Sequence, residues 1–194
     1  MFGRGLPTVL DMTAPWYRNF FRRPQLPESE TLKVRADGGD AEAQFSLGLQ
    51  FASRAGGVQD YAQAAEWYLK AAEQSHCLAQ FNIGVMYSKG QGVPRNDAEA
   101  QIWFRKAAHQ GNARAQFSMG MSHYRASLEG LSKDAPEARV EAYKWFQLAD
   151  AQGCVGSASA RESVNLSMSR EEVADGNQRA AAFVAEGPRH SAVL

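Results

Sequence analysis

The sequence predicts an all-α fold, a solenoid of about three antiparallel helix-pair repeats followed by a C-terminal capping helix pair. Three observations predict it. Ala43-Gln44-Phe45-Ser46-Leu47-Gly48 returns as Ala79-Gln80-Phe81-Asn82-Ile83-Gly84 and again as Ala115-Gln116-Phe117-Ser118-Met119-Gly120, each copy 36 residues after the last. A second ladder, Trp67-Tyr68, Trp103-Phe104 and Trp145-Phe146, advances by 36 and then 42 residues. Within each copy the apolar letters recur at helical spacing. A period of this size shared by two apolar motifs marks a stacked array, and such arrays build extended binding surfaces.

Residues 1–28 form an irregular N-terminal segment with four prolines up to position 27. It carries Arg4, Arg18, Arg22 and Arg23, with Trp16, Tyr17, Phe20 and Phe21 interleaved. It reads as a flexible lead-in whose aromatics fold back over the first helix. A docking arm or a transit peptide is the sharper alternative, and the absence of serine opposes the second. The solenoid spans 29–185, opening with a short helix from Ser29 to about Asp37 that Gly38-Gly39 stops.

Repeat one covers 39–74, with helices near 40–54 and 61–74, a Gly56-Gly57 turn, and Asp60 as N-cap of the second helix. Repeat two covers 75–110, with helices near 76–89 and 97–110 and Gly90-Gln91-Gly92-Val93-Pro94 between them. Repeat three covers 111–152, with helices near 112–126 and 136–151. The 42-residue step places six extra residues in its Ala126–Asp134 loop, and solenoid insertions often fall on the binding face. The capping unit, 153–185, is more polar, as a last repeat must be when nothing covers it. Ser169-Arg170-Glu171-Glu172 is a capping box that opens its final helix. Residues 186–194 read as a tail.

The recurring Gly48, Gly84 and Gly120 give up roughly 1 kcal/mol of helix propensity each, which fits close helix contact. Ala71, Ala107 and Ala149 serve the same contact from the second helices, and the three tryptophans hold each helix pair together. Formal net charge is zero, so no overall field draws the chain to nucleic acid or an acidic membrane. No apolar run reaches the ~18 residues of a membrane span, and the opening residues lack the pattern of a secretory signal. The expectation is a cytoplasmic, monomeric protein. Cys77 and Cys154 lie a full repeat apart, too far for a disulfide at ordinary helix packing distances.

The run Ala79 to Tyr87, then Gly90-Gln91-Gly92-Val93, Ala100, Trp103, Lys106-Ala107-Ala108 and Gln110-Gly111 closely resembles the Sel-one-like repeat (SLR), a relative of the tetratricopeptide repeat. The resemblance covers about Gly39 to Gly153. It implies a right-handed α-solenoid whose first helices line a concave groove, and an adaptor or scaffold role. Carried over by position, the groove would be lined by Glu42, Phe45, Leu49 and Ala52, then Leu78, Phe81, Val85 and Ser88, then Arg114, Phe117, Met121, Tyr124 and Arg125. The cysteine-rich secreted branch of the family has a Cys pair in each repeat, which this chain lacks.

The expected function is therefore non-enzymatic: a peptide or helix of a partner protein held in the groove, with Arg114 and Arg125 pairing its acids. Phe45, Phe81 and Phe117 can supply aromatic contacts or pack between repeats, and both readings stay open. No catalytic, cofactor-binding or metal-binding residues are expected, since His76, His109, His123 and His190 lack metal spacing and no CxxC or nucleotide-binding motif occurs. His123 stands where Phe51 and Tyr87 stand in the other copies, and reads as a packed histidine with one hydrogen bond. Two alternatives come from other classes: a small-molecule site near His123 and the 126–134 loop, and a self-assembling structural unit.

Overall fold

The structure, a computed structural model, describes residues 28–53, 60–129 and 134–187. The aromatic N-terminal segment, the Gly56-Gly57 turn, residues 130–133 of the long loop and His190 lie outside them. Nine helices and no strand occur among the described residues: α1 (Glu28–Asp37), α2 (Ala41–Ala52), α3 (Tyr61–Glu73), α4 (Cys77–Lys89), α5 (Asp97–His109), α6 (Ala113–Leu128), α7 (Ala135–Ala151), α8 (Ser157–Asn165) and α9 (Arg170–Glu186). The repeats are the pairs α2–α3, α4–α5 and α6–α7; the first packs on α1 and each of the others on the pair before it.

Short polar residues set the helix starts by accepting from amides that no helical carbonyl can reach. Asp40 accepts from Ala43 N, Asp60 from Gln63 N, and Asn112 from Ala115 N. His76 does the same through Nδ1, which accepts from Ala79 N. Ser169 and Glu172 form the reciprocal capping box at the start of α9. Gly92 lies at φ +71°, and a Cβ there would fall 2.0 Å from the Tyr61 carbonyl oxygen, so only glycine fits this turn.

Inside each pair the glycine of the first helix receives the ring of the second. A Cβ at Gly48, Gly84 or Gly120 would sit 2.7, 2.8 or 2.6 Å from Tyr68, Phe104 or Phe146. Gly176 of α9 repeats the arrangement against Tyr143 of α7, at 2.7 Å. The tryptophans act differently from the expectation. Trp67 packs with Ala43 and Leu47 of its own repeat but also with Ala36 of α1. Trp103 packs with α3 and α4, and Trp145 with α5, α6 and Ala180 of α9. Each indole thus joins its pair to the preceding unit, while the adjacent Tyr or Phe closes the pair itself.

Two boundaries also differ. α6 continues to Leu128, so it takes the first residues of the expected 126–134 loop. α8 starts only at Ser157, because Gly156 adopts the left-handed conformation at φ +87° and turns the chain there. The two terminal helices both dock on α7. α8 contributes Val164, and Met168 and Val173 join the same cluster with Tyr143 and Phe146. α9 lays Ala180 and Phe183 against Trp145 and Leu148.

Candidate binding groove

The first helices place their variable residues in register. Phe45, Phe81 and Phe117 occupy one level; Leu49, Val85 and Met121 the next; Glu42, Leu78 and Arg114 lie towards the helix starts. Helix period explains the pattern, since residues three or four apart share a face. The Ala and Gly letters of the same helices face the partner helix, and all three alanines of the echo (43, 79, 115) are buried.

The phenylalanines are half-buried. Each leans on the second-helix ring of its own repeat: Phe45 on Tyr68, Phe81 on Phe104, and Phe117 on Phe146, with ring centroids 5.6–5.8 Å apart. Phe45 is further stacked on His76 at 4.6 Å. Because His76 Nδ1 accepts from the backbone, Nε2 carries the hydrogen and donates to Glu42, 3.0 Å away. This contact ties the start of α2 to the start of α4.

Seven of the thirteen residues expected to line the groove, Ser88 among them, meet around two depressions. One, of about 350 Å³, is bordered by Val85, Lys89, Phe117, Met121 and Arg125, with Asp97 at its wall. The other, of about 510 Å³, is bordered by Phe81, Arg114, Phe117 and Val155. Phe117 and Ser118 belong to both, so the two form a continuous track along α6. Glu42, Phe45, Leu49, Ala52, Leu78 and Tyr124 border neither depression. Leu49 is 50% exposed on α2, Phe45 is covered by His76, and Tyr124 packs with Phe117 against the Tyr143–Phe146–Val164 cluster.

His123 lies elsewhere, in a cleft of about 450 Å³ between α5, α6 and α7 with Arg105, His109, Glu141 and Lys144. Burial pushes its pKa below the ordinary value, Glu141 opposes that, and Arg105 and Lys144 reinforce it. The expected hydrogen bond is absent: no partner for the ring occurs among the described residues. Among those residues no three His, Cys, Asp or Glu side chains are placed to hold a metal. None of the described helices is long and apolar enough to cross a membrane. Cys77 and Cys154 are free and half-buried, and burial raises the Cys77 thiol pKa.

The Sel1 repeat family model matches residues 41–76, 77–112 and 113–154, which together make up more than half of the chain. The chain belongs to the Sel1-repeat family. Each Sel1 repeat begins at the first residue of a first helix, and its end falls at the next N-cap in the first two copies, His76 and Asn112. Proteins of this family are generally protein–protein interaction modules and typically non-enzymatic binding scaffolds. A protective antigen present in uropathogenic Escherichia coli strains, displaying an SLR fold, is similar over 84% of the chain at 27% identity and a TM-score of 0.68. The chain spans about a third of that antigen's length, 36%. A Sel1 repeat protein from Oxalobacter formigenes is similar over 66% of this chain and 93% of its own, at 32% identity and a TM-score of 0.55. A search of curated proteins gave no match.

Sequence reasoning missed the glutamines of the Sel1 echo. Gln44, Gln80 and Gln116 are buried, and each donates Nε2 to a carbonyl near the end of the preceding helix, that of Ala36, Ala72 or Ala108. Each Oε1 accepts from a second glutamine of the same repeat, Gln74, Gln110 or Gln152, at 2.7–2.8 Å. The signal was available, because this second set recurs at the same steps as the tryptophans.

Proposed function

We propose that this protein is a non-enzymatic adaptor that holds a peptide or helix of a partner protein along the track formed by α4 and α6. The observation that carries the reading is the pair of depressions sharing Phe117, beside an exposed Met121. A monomer's apolar side chains are normally covered when they line a continuous concavity, and one left open is a natural contact surface. The half-buried rings of Phe81 and Phe117 support a groove role, since each leans on its own repeat and also borders a depression, whereas Phe45 is covered by His76. In this reading the protein works as a cytoplasmic monomer without a cofactor.

Selection from a random dodecapeptide phage library against the immobilised protein tests it. Selected peptides should lose about tenfold or more in affinity with Met121→Glu. They should be unaffected by Ile102→Glu, which alters an exposed residue of α5 away from the track. Helicity by circular dichroism should match the parent in both variants. Peptides that bind Met121→Glu as well as the parent would place the binding surface elsewhere.

A further inference from the structure

We infer that the occupant of this track is an extended segment with acidic residues bounding an apolar centre, its acids read by the third repeat. The inference rests on the groove reading above and adds the chemistry of the ligand. The register between copies carries it. At the level nearest the helix starts the residue changes from Glu42 to Leu78 to Arg114, from acid through apolar to base. Towards the helix ends it changes from Ser53 to Lys89 to Arg125. Positive charge therefore accumulates along the array at both edges of the track, in a chain whose formal net charge is zero.

Among the described residues the cations at the track make no direct ion pair. Arg35, Arg95, Arg139, Arg161 and Arg179 all meet carboxylates. Among the described residues Lys89, Arg114 and Arg125 are in no ion pair and make no side-chain hydrogen bond. The acid at the wall, Asp97, has both carboxylate oxygens occupied by Arg95, at 3.2 and 2.9 Å. Glu42, at the far end, is held by His76. A ligand acid therefore meets cations at the third repeat that are in no ion pair among the described residues, and Asp97, the wall carboxylate that feels the Arg125 charge, is already held by Arg95.

Helix geometry sets the length. Arg114 and Arg125 are eleven residues apart on α6, a rise of about 16 Å at ~1.5 Å per residue. An extended chain of seven residues spans about 20 Å and shows alternate side chains on one face. Acid, apolar, apolar, acid at those alternate positions places two apolar groups over the two depressions and an acid within reach of each arginine. The pattern is acid-x-apolar-x-apolar-x-acid. Guanidinium groups pair carboxylates with two parallel hydrogen bonds, which gives the ends more discrimination than a lysine would.

Fluorescence anisotropy with three labelled, C-amidated heptapeptides, DSLSLSD, NSLSLSN and KSLSLSK, tests this on the full-length chain. DSLSLSD should bind about tenfold or more tighter than NSLSLSN at low salt, and the advantage should shrink as salt screens it. Arg114→Glu combined with Arg125→Glu should reverse the order, so that KSLSLSK binds best. Equal binding of the three, or an order that survives the double substitution, overturns the inference. If Met121→Glu weakens DSLSLSD and NSLSLSN alike while the two bind equally to the parent, the groove reading stands and the acidic ends are wrong. Phage-selected peptides that are sensitive to Met121→Glu but lack bounding acids would also rule out the acidic ends and leave the groove reading in place. If neither the heptapeptides nor the library gives binding sensitive to Met121→Glu, both readings fall.

Discussion

His123 is the residue at which the third copy departs most sharply from its predecessors. Phe51 and Tyr87 hold the same register in the first and second copies and pack on the cluster around Trp103. At position 123 a titratable ring takes that half-buried place, facing Arg105 and His109 from α5 and Glu137, Glu141 and Lys144 from α7. Desolvation, the largest effect, disfavours the imidazolium and lowers the pKa below 6.5. The unfolded chain, with an ordinary histidine, takes up the proton first. Stability should therefore fall as pH drops below about 6.5 and level off once the folded form also titrates. His123→Tyr restores the residue of the preceding copy and removes this contribution. Urea midpoints at about pH 7.5 and pH 5.5 should differ less in the variant than in the parent. An unchanged difference would show that other groups govern the acid limb.

Between helices, the buried glutamines do what apolar contacts cannot. The last carbonyls of a helix lack i+4 partners, and Gln80 adds a second donor to the Ala72 carbonyl beside Ser75 N while holding Gln110 at 2.8 Å. With Gln80 only 1% exposed, Gln80→Leu keeps the volume but removes one of the bonds to the Ala72 carbonyl, which keeps the one from Ser75 N, and leaves the Gln110 amide without its acceptor. That should cost about 1–3 kcal/mol in urea unfolding, and Gln110→Ala, half-buried and nearer solvent, less. A Gln80→Leu variant as stable as the parent would mean that water satisfies these groups. The same contrast explains what could be read from the letters. Period and helical spacing gave the pairs, their caps and the tight glycines, because those depend on local geometry. Spacing could not say whether a repeated polar letter meets solvent or a carbonyl, so the glutamines carried no role. Nor could it say which neighbour an indole touches, so the tryptophans were placed within pairs. One substitution did mark the docking site of α9. Lys70 and Lys106 lie over Trp67 and Trp103, at 4.0 and 3.9 Å from the ring centroids, whereas the matching Leu148 is buried and packs with Ala180.

Across the whole molecule, stability is expected to pass from unit to unit, since each unit packs mainly on its neighbours, although Phe183 of α9 also reaches His109 of α5 at 5.6 Å. The C-terminal end is held partly by charge. Arg179 of α9 donates to Glu137, to Glu141 at 2.9 Å and to Asp175 at 2.9 and 3.0 Å. Arg139 of α7 donates to Glu172 at 2.7 Å. Burial raises the Glu141 carboxyl pKa, but Arg179 and Lys144 outweigh it and leave the group below its ordinary value. Beneath this network lies the apolar contact of Phe183 with Trp145, rings 5.3 Å apart. Arg179→Glu would set a fourth carboxylate among three and push α9 away from α7. Hydrogen exchange should then report lost protection in α9 and, through the uncovered Trp145 and Leu148, in α6 and α7, on the order of 2–3 kcal/mol. The α2–α3 pair, separated from α9 by two whole repeats, should keep the protection it has in the parent. A uniform loss from α1 to α9 would instead mean that the array unfolds as one cooperative body. The track on α6 would then depend on the terminal helix as much as on its own repeat.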